Sequence, residues 1–547
     1  MKFLSYFRVV VAALLLAMPA TIITSCGEDA TEEVTPDPEP EPDPDPEPDP
    51  DPDPEPDPDP DPDPDPDPDP DPDGDDTLPE PVNSYTVSSK SEFDAAVKVV
   101  QPGDEIVLAA GTYTDIEFEF DADGEEGNMI YLRGEDPTKT FISGDSQIKF
   151  GGDYLYVYNL TFNGCVATST SSKGTIVEFR NGSSNEAYHC VLSDCSFESC
   201  VPTNKAYDDC WVNVYGQYNT IQRCYFGGKD NKGLYIVVWH KNAKADYATI
   251  RENYFYRPNT YNDEENGQEI IRIGDSTNSI TDSSTVIEDN FFYKCNGEIE
   301  IISIKSGDNL INRNTFLECV GCVTLRHGDY NTVSNNYFIT NKVSRAGGVR
   351  VINKGHLIYN NYFYGQQSDD ERAAISLQLG VEDGELNEYD PVEDVTIANN
   401  TMVNCKQNFS FGVGSATVVP QNVLIIGHLA VTDQTSTLID YNGEDASGIT
   451  FSCSHLEGTG GVVTGDGLIS GAYTTSTMSI GGVSFPKLVA TTTYTLCPDF
   501  VTTDISGVSR GSSTPIGAIA DGDAAPAASV ATNNNCGPSW SGWSKPL

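Results

Sequence analysis

Apolar residues along this chain come in short β-branched runs separated by Gly and Asn, and one triplet returns in constant phase. An Asn or Cys, then any residue, then an aromatic or Met forms "CSF" ending at Phe197, "CYF" at Phe226, "NYF" at Phe255, "NFF" at Phe292, "NTF" at Phe316, "NYF" at Phe338, "NYF" at Phe363 and "NTM" at Met402. Successive spacings are 29, 29, 37, 24, 22, 25 and 39 residues, so a basal unit of 22 to 25 carries insertions. A fixed period of this length marks a stacked-coil architecture. Leucine-rich repeats of similar length need a leucine ladder, which this chain lacks. The pattern therefore predicts an all-β protein, a right-handed parallel β-helix whose Asn and aromatic side chains stack coil on coil. The segment "SEFDAAVKVV" (91–100), with Ser91 and Asp94 as a capping pair, predicts a helix that closes the N-terminal end.

The stretch "NGEIEIISIKS" (296–306) departs from a plain buried strand. Ile299 and Ile301 alternate with Glu298 and Glu300, which places both carboxylates on one outward face. Ile301 and Ile302 break the alternation, which predicts a bend between two sheets. After it, Ser303 and Lys305 face outward. About one coil later "VTLRHG" turns Arg326 outward, and "GGVRVINKGH" does the same with Arg350. Upstream, "NGQEIIRIG" (266–274) adds Arg272. Lys305, Arg326 and Arg350 are thus expected to form a ladder with steps of about 4.8 Å, the spacing of paired strands. A cation row beside paired carboxylates suits an anionic polymer and a hard metal ion; a solvated face of salt bridges is the plainer alternative. "VVWHK" (237–241) is either a sugar-stacking element or a core strand end.

Composition changes the picture mainly at the N-terminus. The 547 residues carry a formal net charge of −52, but residues 1–76 hold 25 acids against Lys2 and Arg8, leaving 58 acids and 29 bases elsewhere. That balance argues against a nucleic-acid partner. Residues 36–73 alternate Pro with Asp or Glu, an extended spacer of about 120 Å at polyproline rise. Before it, Lys2, Arg8, an apolar run over 9–18 and "ITSC" ending at Cys26 resemble a bacterial lipoprotein signal. A transmembrane anchor would need about 20 apolar residues. The expected organisation is a signal peptide (1–25), a lipidated Cys26 with an acidic linker (26–79), the β-helix (80–525) and a tail (526–547). The acidic residues after Cys26 look like those of lipoproteins exposed on the outer membrane. Thirteen further cysteines, several at the repeated phase, read as stacked buried thiols, and "CVGC" (319–322) lacks zinc-like partners.

The ordered string "NGQEIIRIG", "NGEIEIISIKS", "LRHG" and "GGVRV", with "VLAAGTY" (107–113) in an early coil and "TTDISGVSR" (502–510) late, resembles polysaccharide lyase family six, the β-helical alginate lyases and chondroitinase B. The resemblance covers most of 85–520. It implies cleavage of a uronate-containing glycan by β-elimination with calcium as cofactor. By motif position it implies Asn266, Glu298 and Glu300 as calcium ligands, Lys305 as base, Arg326 as the group assisting the leaving oxygen, and Arg350 as a substrate contact. Arg272, His327 and His356, beside these motifs, are further candidates for substrate binding. Gln268 stands where the family commonly has Gly. The resulting expectation is a monomeric, calcium-dependent lyase acting on alginate. A dermatan sulfate lyase and a non-catalytic glycan-binding surface protein are the alternatives. The acidic balance favours alginate over a sulfated glycan.

Overall fold

In a computed structural model, residues 78–166, 174–262, 265–434, 437–522 and 530–547 are described. The signal segment, Cys26 and the Pro-acid repeat lie outside these residues. Residues 78–547 form one compact unit.

Each turn of chain contributes one strand to each of three long sheets of 14, 12 and 14 strands, whose neighbours are parallel apart from one terminal pair. This is the right-handed parallel β-helix expected from the spacing. The repeated triplet explains how a coil turns. One residue before each buried Asn or Cys adopts positive φ, as at Arg223 (46°), Asp289 (52°), Arg313 (53°) and Asn335 (56°), which makes a one-residue corner between the first and third sheets. The next residue stabilises that corner across coils. Asn253 N–H donates to Asn290 Oδ1 at 3.0 Å, Asn290 N–H to Asn314 Oδ1 at 3.1 Å and Asn314 N–H to Asn336 Oδ1 at 2.9 Å. Two residues further, Phe292, Phe316, Phe338 and Phe363 stack inward with centroids 4.7–4.8 Å apart. The described cysteines are free and mostly buried in the same interior.

The closing helix α1 spans Lys90–Val97, and its cap is shifted from the expected pair. Ser89 Oγ accepts from Glu92 N–H, while Asp94 pairs with Lys90 at 2.7 Å. Asp94 lies too far along the helix to reach its first free amides. Phe93 and Ala96 pack on the first coil.

At the other end, an antiparallel hairpin (Tyr473–Ile480 with Val483–Ala490) and the residues after it cover the outer face of the third sheet with a second apolar cluster. Residues 530–547, set apart above as a tail, lie against the coils: Gly537 N–H donates to Glu252 O at 2.8 Å and Trp540 Nε1 to Asp194 O at 2.8 Å. The outer face of the third sheet is thereby taken up by this covering layer. The 12-stranded sheet carries the candidate residues.

Candidate active site

Five neighbouring strands of that sheet build the site: β1 (Ile271–Ile273), β2 (Glu300–Lys305), β3 (Gly321–His327), β4 (Ala346–Val351) and β5 (Ile375–Gln378). Their isoleucine, valine and leucine side chains point inward, which turns the intervening residues outward. Arg272, Ser303, Thr324, Arg350 and Ser376 form one row across the five strands. Lys305 pairs with His327 in the next row.

The expected one-per-coil ladder of Lys305, Arg326 and Arg350 is therefore not what forms. The β2–β3 register shifts between Ile304 and Lys305, which leaves Arg326 as the extra residue of a bulge beside the Lys305–His327 pair. Arg350 belongs instead to the row of Arg272, three strand steps or about 14 Å away. The predicted bend between two sheets is likewise a second bulge inside β2, between Glu300 and Ile302.

The carboxylates converge, but they are buried rather than facing solvent. Glu298 is 5% and Glu300 3% exposed. Two glycines permit this. A Cβ on Gly297 would lie 2.0 Å from Gln268 O, and one on Gly321, at φ 107°, would lie 2.6 Å from Glu298 O. Glu298 Oε1 accepts from Gly267 N–H at 2.9 Å and Gln268 N–H at 2.8 Å. Burial, then the neighbouring Glu269 carboxyl, raises the Glu298 pKa well above the usual carboxylate range. Glu300 Oε1 lies 3.5 Å from Arg326 Nη1 and 3.5 Å from Arg350 Nη1, and its other oxygen accepts from Ser303 Oγ.

The turn that carries Asn266 is shaped from beneath. Arg257, wholly buried, donates to Gly233 O (2.8 Å), Gln268 O (3.0 Å) and Asn231 O (2.9 Å). The Gln268 side chain accepts from Tyr261 N–H at 2.7 Å and donates to Asn262 O (2.8 Å) and Glu265 O (2.9 Å). Gln268 thus closes the loop on itself, which a glycine could not do. Asn266 stays exposed at the tip.

Lys305 is partly buried and, among the described residues, makes no ion pair or hydrogen bond. Burial lowers its pKa, and Arg326 and Arg272 lower it further against the opposing pull of Glu269 and Glu300. His327 is held neutral, its pKa lowered to about 4 by burial, Arg326 and Lys305, and its Nε2 is buried without a partner. Arg272 lies over the Trp239 ring, 5.1 Å from its centroid. Trp239 stacks on Tyr215 of the coil before and donates from Nε1 to Asn213 Oδ1 at 2.9 Å, so it orients Arg272 and offers no open face to a sugar.

His356 does not belong to the site. It is wholly buried, Nδ1 accepts from Asn331 N–H at 3.1 Å and Nε2 donates to Ile352 O at 2.7 Å. It continues the stack of Asn309 and Asn331, which buries both its nitrogens inside the coil.

Two residues enter that sequence reasoning missed. Glu269, in the quoted "NGQE" motif, is 1% exposed with Oε2 lacking a partner, beside Glu298. Tyr389 comes from the loop after β5. Its hydroxyl accepts from Arg350 Nη2 at 3.3 Å, and its ring centroid lies 5.4 Å from the Arg350 guanidinium, 5.8 Å from that of Arg326 and 6.4 Å from the His327 ring. No periodic signal marks it.

The side chains that would hold an ion, Asn266, Glu298 and Glu300 with Glu269, offer oxygen, the chemistry of a hard cation such as calcium. The unpartnered Glu269 Oε2 and the raised Glu298 pKa fit a cation, which would offset two carboxylates facing one another. Among the described residues, no three His, Cys, Asp or Glu side chains already stand around one point.

The family model of chondroitinase B matches residues 87–441. The structure of a PL6 family alginate lyase, AlyGC, is 31% identical with a TM-score of 0.71; the match covers 85% of this chain and 59% of that one, so this chain spans less than two thirds of that relative. A mannuronic acid specific polysaccharide family 6 lyase from human gut microbiota is 32% identical with a TM-score of 0.61, covering 68% of this chain and 86% of that one. A comparison with curated proteins gives no match. With the β-helix, the site order and these matches in agreement, the chain belongs to the chondroitinase B family, polysaccharide lyase family 6.

Proposed function

We propose that this protein is a calcium-dependent polysaccharide lyase that cleaves alginate by β-elimination and leaves an unsaturated uronate at the new end. The observation that carries the reading is Lys305, a partly buried amine with a lowered pKa and no ion-pair partner, flanked by Arg326 and facing a carboxylate cluster. Such an amine gives up its proton more readily than an ordinary lysine, as a general base requires. Lys305 Nζ takes the C5 proton. Arg326 stabilises negative charge developing on the departing 4-oxygen, and Arg350, Arg272 and His327 orient the polymer. Glu300 holds the two guanidiniums of Arg326 and Arg350 in place. Asn266, Glu298 and Glu300, with Glu269 beside them, would hold calcium, which supplies charge neutralisation at the sugar carboxylate.

The likeness to an alginate lyase supports alginate as substrate, and the acidic composition favours a carboxylate polymer over a more highly charged sulfated one. The match to the chondroitinase B model favours dermatan sulfate as the second reading. Alginate and dermatan sulfate are incubated with the protein, with and without calcium, while ultraviolet absorbance of unsaturated uronate is followed. Absorbance is expected to rise with alginate and calcium, and to fall at least about 10²-fold in rate for Lys305→Ala with little change in KM. Full activity in chelator or in Lys305→Ala overturns the calcium or the base assignment respectively. The leader sequence supports a lipid anchor at Cys26 and a place on the outer membrane, surface-exposed; Cys26→Ala that stays in the membrane fraction contradicts this.

A further inference from the structure

The outward row that carries Arg272, Ser303, Thr324 and Arg350 does not stop at the site described above. It runs on through Ser376 of β5 to Ser410 of β6 (Phe409–Val413) and Asp440 of β7 (Ile439–Asp440). Beside this continuation lies a cavity of about 700 Å³ that the elimination itself does not use. Two of its lining residues bond to the row: Glu371 O accepts from Ser376 Oγ at 3.1 Å, and Asn442 Nδ2 donates to Ser410 Oγ at 3.1 Å. Its near wall is the turn Asp370–Arg372, where Glu371 Oε2 lies 3.9 Å from Arg350 Nη2, so the cavity begins where the arginine cluster ends. Four strand steps, about 19 Å, separate β6 from the strand of Lys305.

We propose that this cavity is a distal binding site for the polymer, several sugars from the cleaved bond, which accepts a uronate carrying a single negative charge and rejects a sulfated one; the inference rests on the lyase reading above. The lining charges are three cations, Arg345, Arg372 and Lys406, against four acids, Asp369, Asp370, Glu371 and Glu444. Lys406 is paired with Asp369 and Arg372 with Glu371, so there is no surplus of positive charge. The Lys406–Asp369 pair is solvent-exposed, and exposed pairs contribute little, so a sugar carboxylate can replace Asp369 on Lys406 at small cost. A sugar that also carried sulfate would meet the remaining carboxylates with no cation left to offset them.

The wall is set before any sugar arrives. Asp370 N–H donates to Gln407 Oε1 at 2.7 Å, and the Gln366 amide donates to Ser368 O at 2.7 Å and to Arg372 O, which ties the turn to the coil beneath. Gly414, at φ 109°, lines the cavity where a side chain would project into it.

The test measures initial-rate KM and kcat, in calcium, for the wild type, Lys406→Gln and Glu444→Gln on alginate oligosaccharides of increasing length, with a dermatan sulfate oligosaccharide as competitor of the longest. Wild-type KM should fall once the chain spans from Lys305 to the cavity. Lys406→Gln should raise KM about three- to tenfold on those long substrates alone, with kcat and the KM of short ones unchanged. Glu444→Gln should strengthen inhibition by the sulfated competitor about two- to fivefold. A KM change equal at every length would make Lys406 a structural residue, an unchanged KM at all lengths would exclude the cavity from binding, and unchanged inhibition would remove the charge selection; each overturns the proposal. Wild-type inactivity at every length would instead refute the lyase reading, and this inference with it.

Discussion

Lys305 is an amine placed where its charge is costly, and the placement sets a pH dependence. A base must be unprotonated, so kcat/KM should rise with pH along a limb below the usual lysine range. Arg272, in the adjacent row, is one of the cations that lowers the Lys305 pKa. Arg272→Gln should therefore move that limb to higher pH as well as raise KM, read from a pH–rate profile; an unmoved limb would reduce Arg272 to a binding group. Lys305, Arg326 and Arg350 were visible in the sequence because each is a lone cation among alternating apolar residues. His356 was misread because an inward and an outward turn residue look alike in one coil. Its spacing from Asn309 and Asn331, at the end of "SGDN", "HGDYN" and "NKGH", is the signal that it stacks inside.

At the scale of strands and turns, the triplet period and the β-helix follow from the same cause: one αL corner per coil, an Asn to bridge it and a phenyl ring beneath. Phe316 stacks between Phe292 and Phe338, and Phe316→Ala should cost about 3–5 kcal/mol of stability in denaturant titration. A cost below about 1 kcal/mol would mean the stack is not a main source of cohesion. The cation ladder failed because strand alternation was carried across β3 unbroken, whereas a bulge adds a residue without any change in composition. The turn bearing Asn266 gives a further test. Gln268→Ala removes three side-chain hydrogen bonds that close this loop, and should raise the calcium concentration needed for half saturation about 10- to 100-fold by calorimetry, with a smaller change in kcat at saturating calcium. Unchanged calcium affinity would detach the loop from the cation site.

For the molecule as a whole, stability and chemistry are carried by different faces. The histidines inside the coils make the fold acid-sensitive. Burial lowers His356 and His428 to about 4 from 6.5. Their neutral forms stabilise the folded state fully above about 6.5, and the unfolded chain binds more protons between about 6.5 and about 4, so stability falls as pH falls through that window. Denaturation midpoints measured above and within the window should differ, and less so in His356→Asn. The covering layer after residue 473, by contrast, left no periodic mark in the sequence, because it packs by contact with the outer tyrosines of the coils. Tyr389 went unseen for a similar reason, since a loop from one coil reaches the cations of others. Lys305 can serve as base only if the glycosidic bond is broken by elimination at this site. Digestion of an alginate oligosaccharide in water labelled with heavy oxygen, read by mass spectrometry, tests that directly. Unsaturated products free of solvent oxygen are expected; saturated products carrying one labelled oxygen per cleaved bond would show hydrolysis and contradict it.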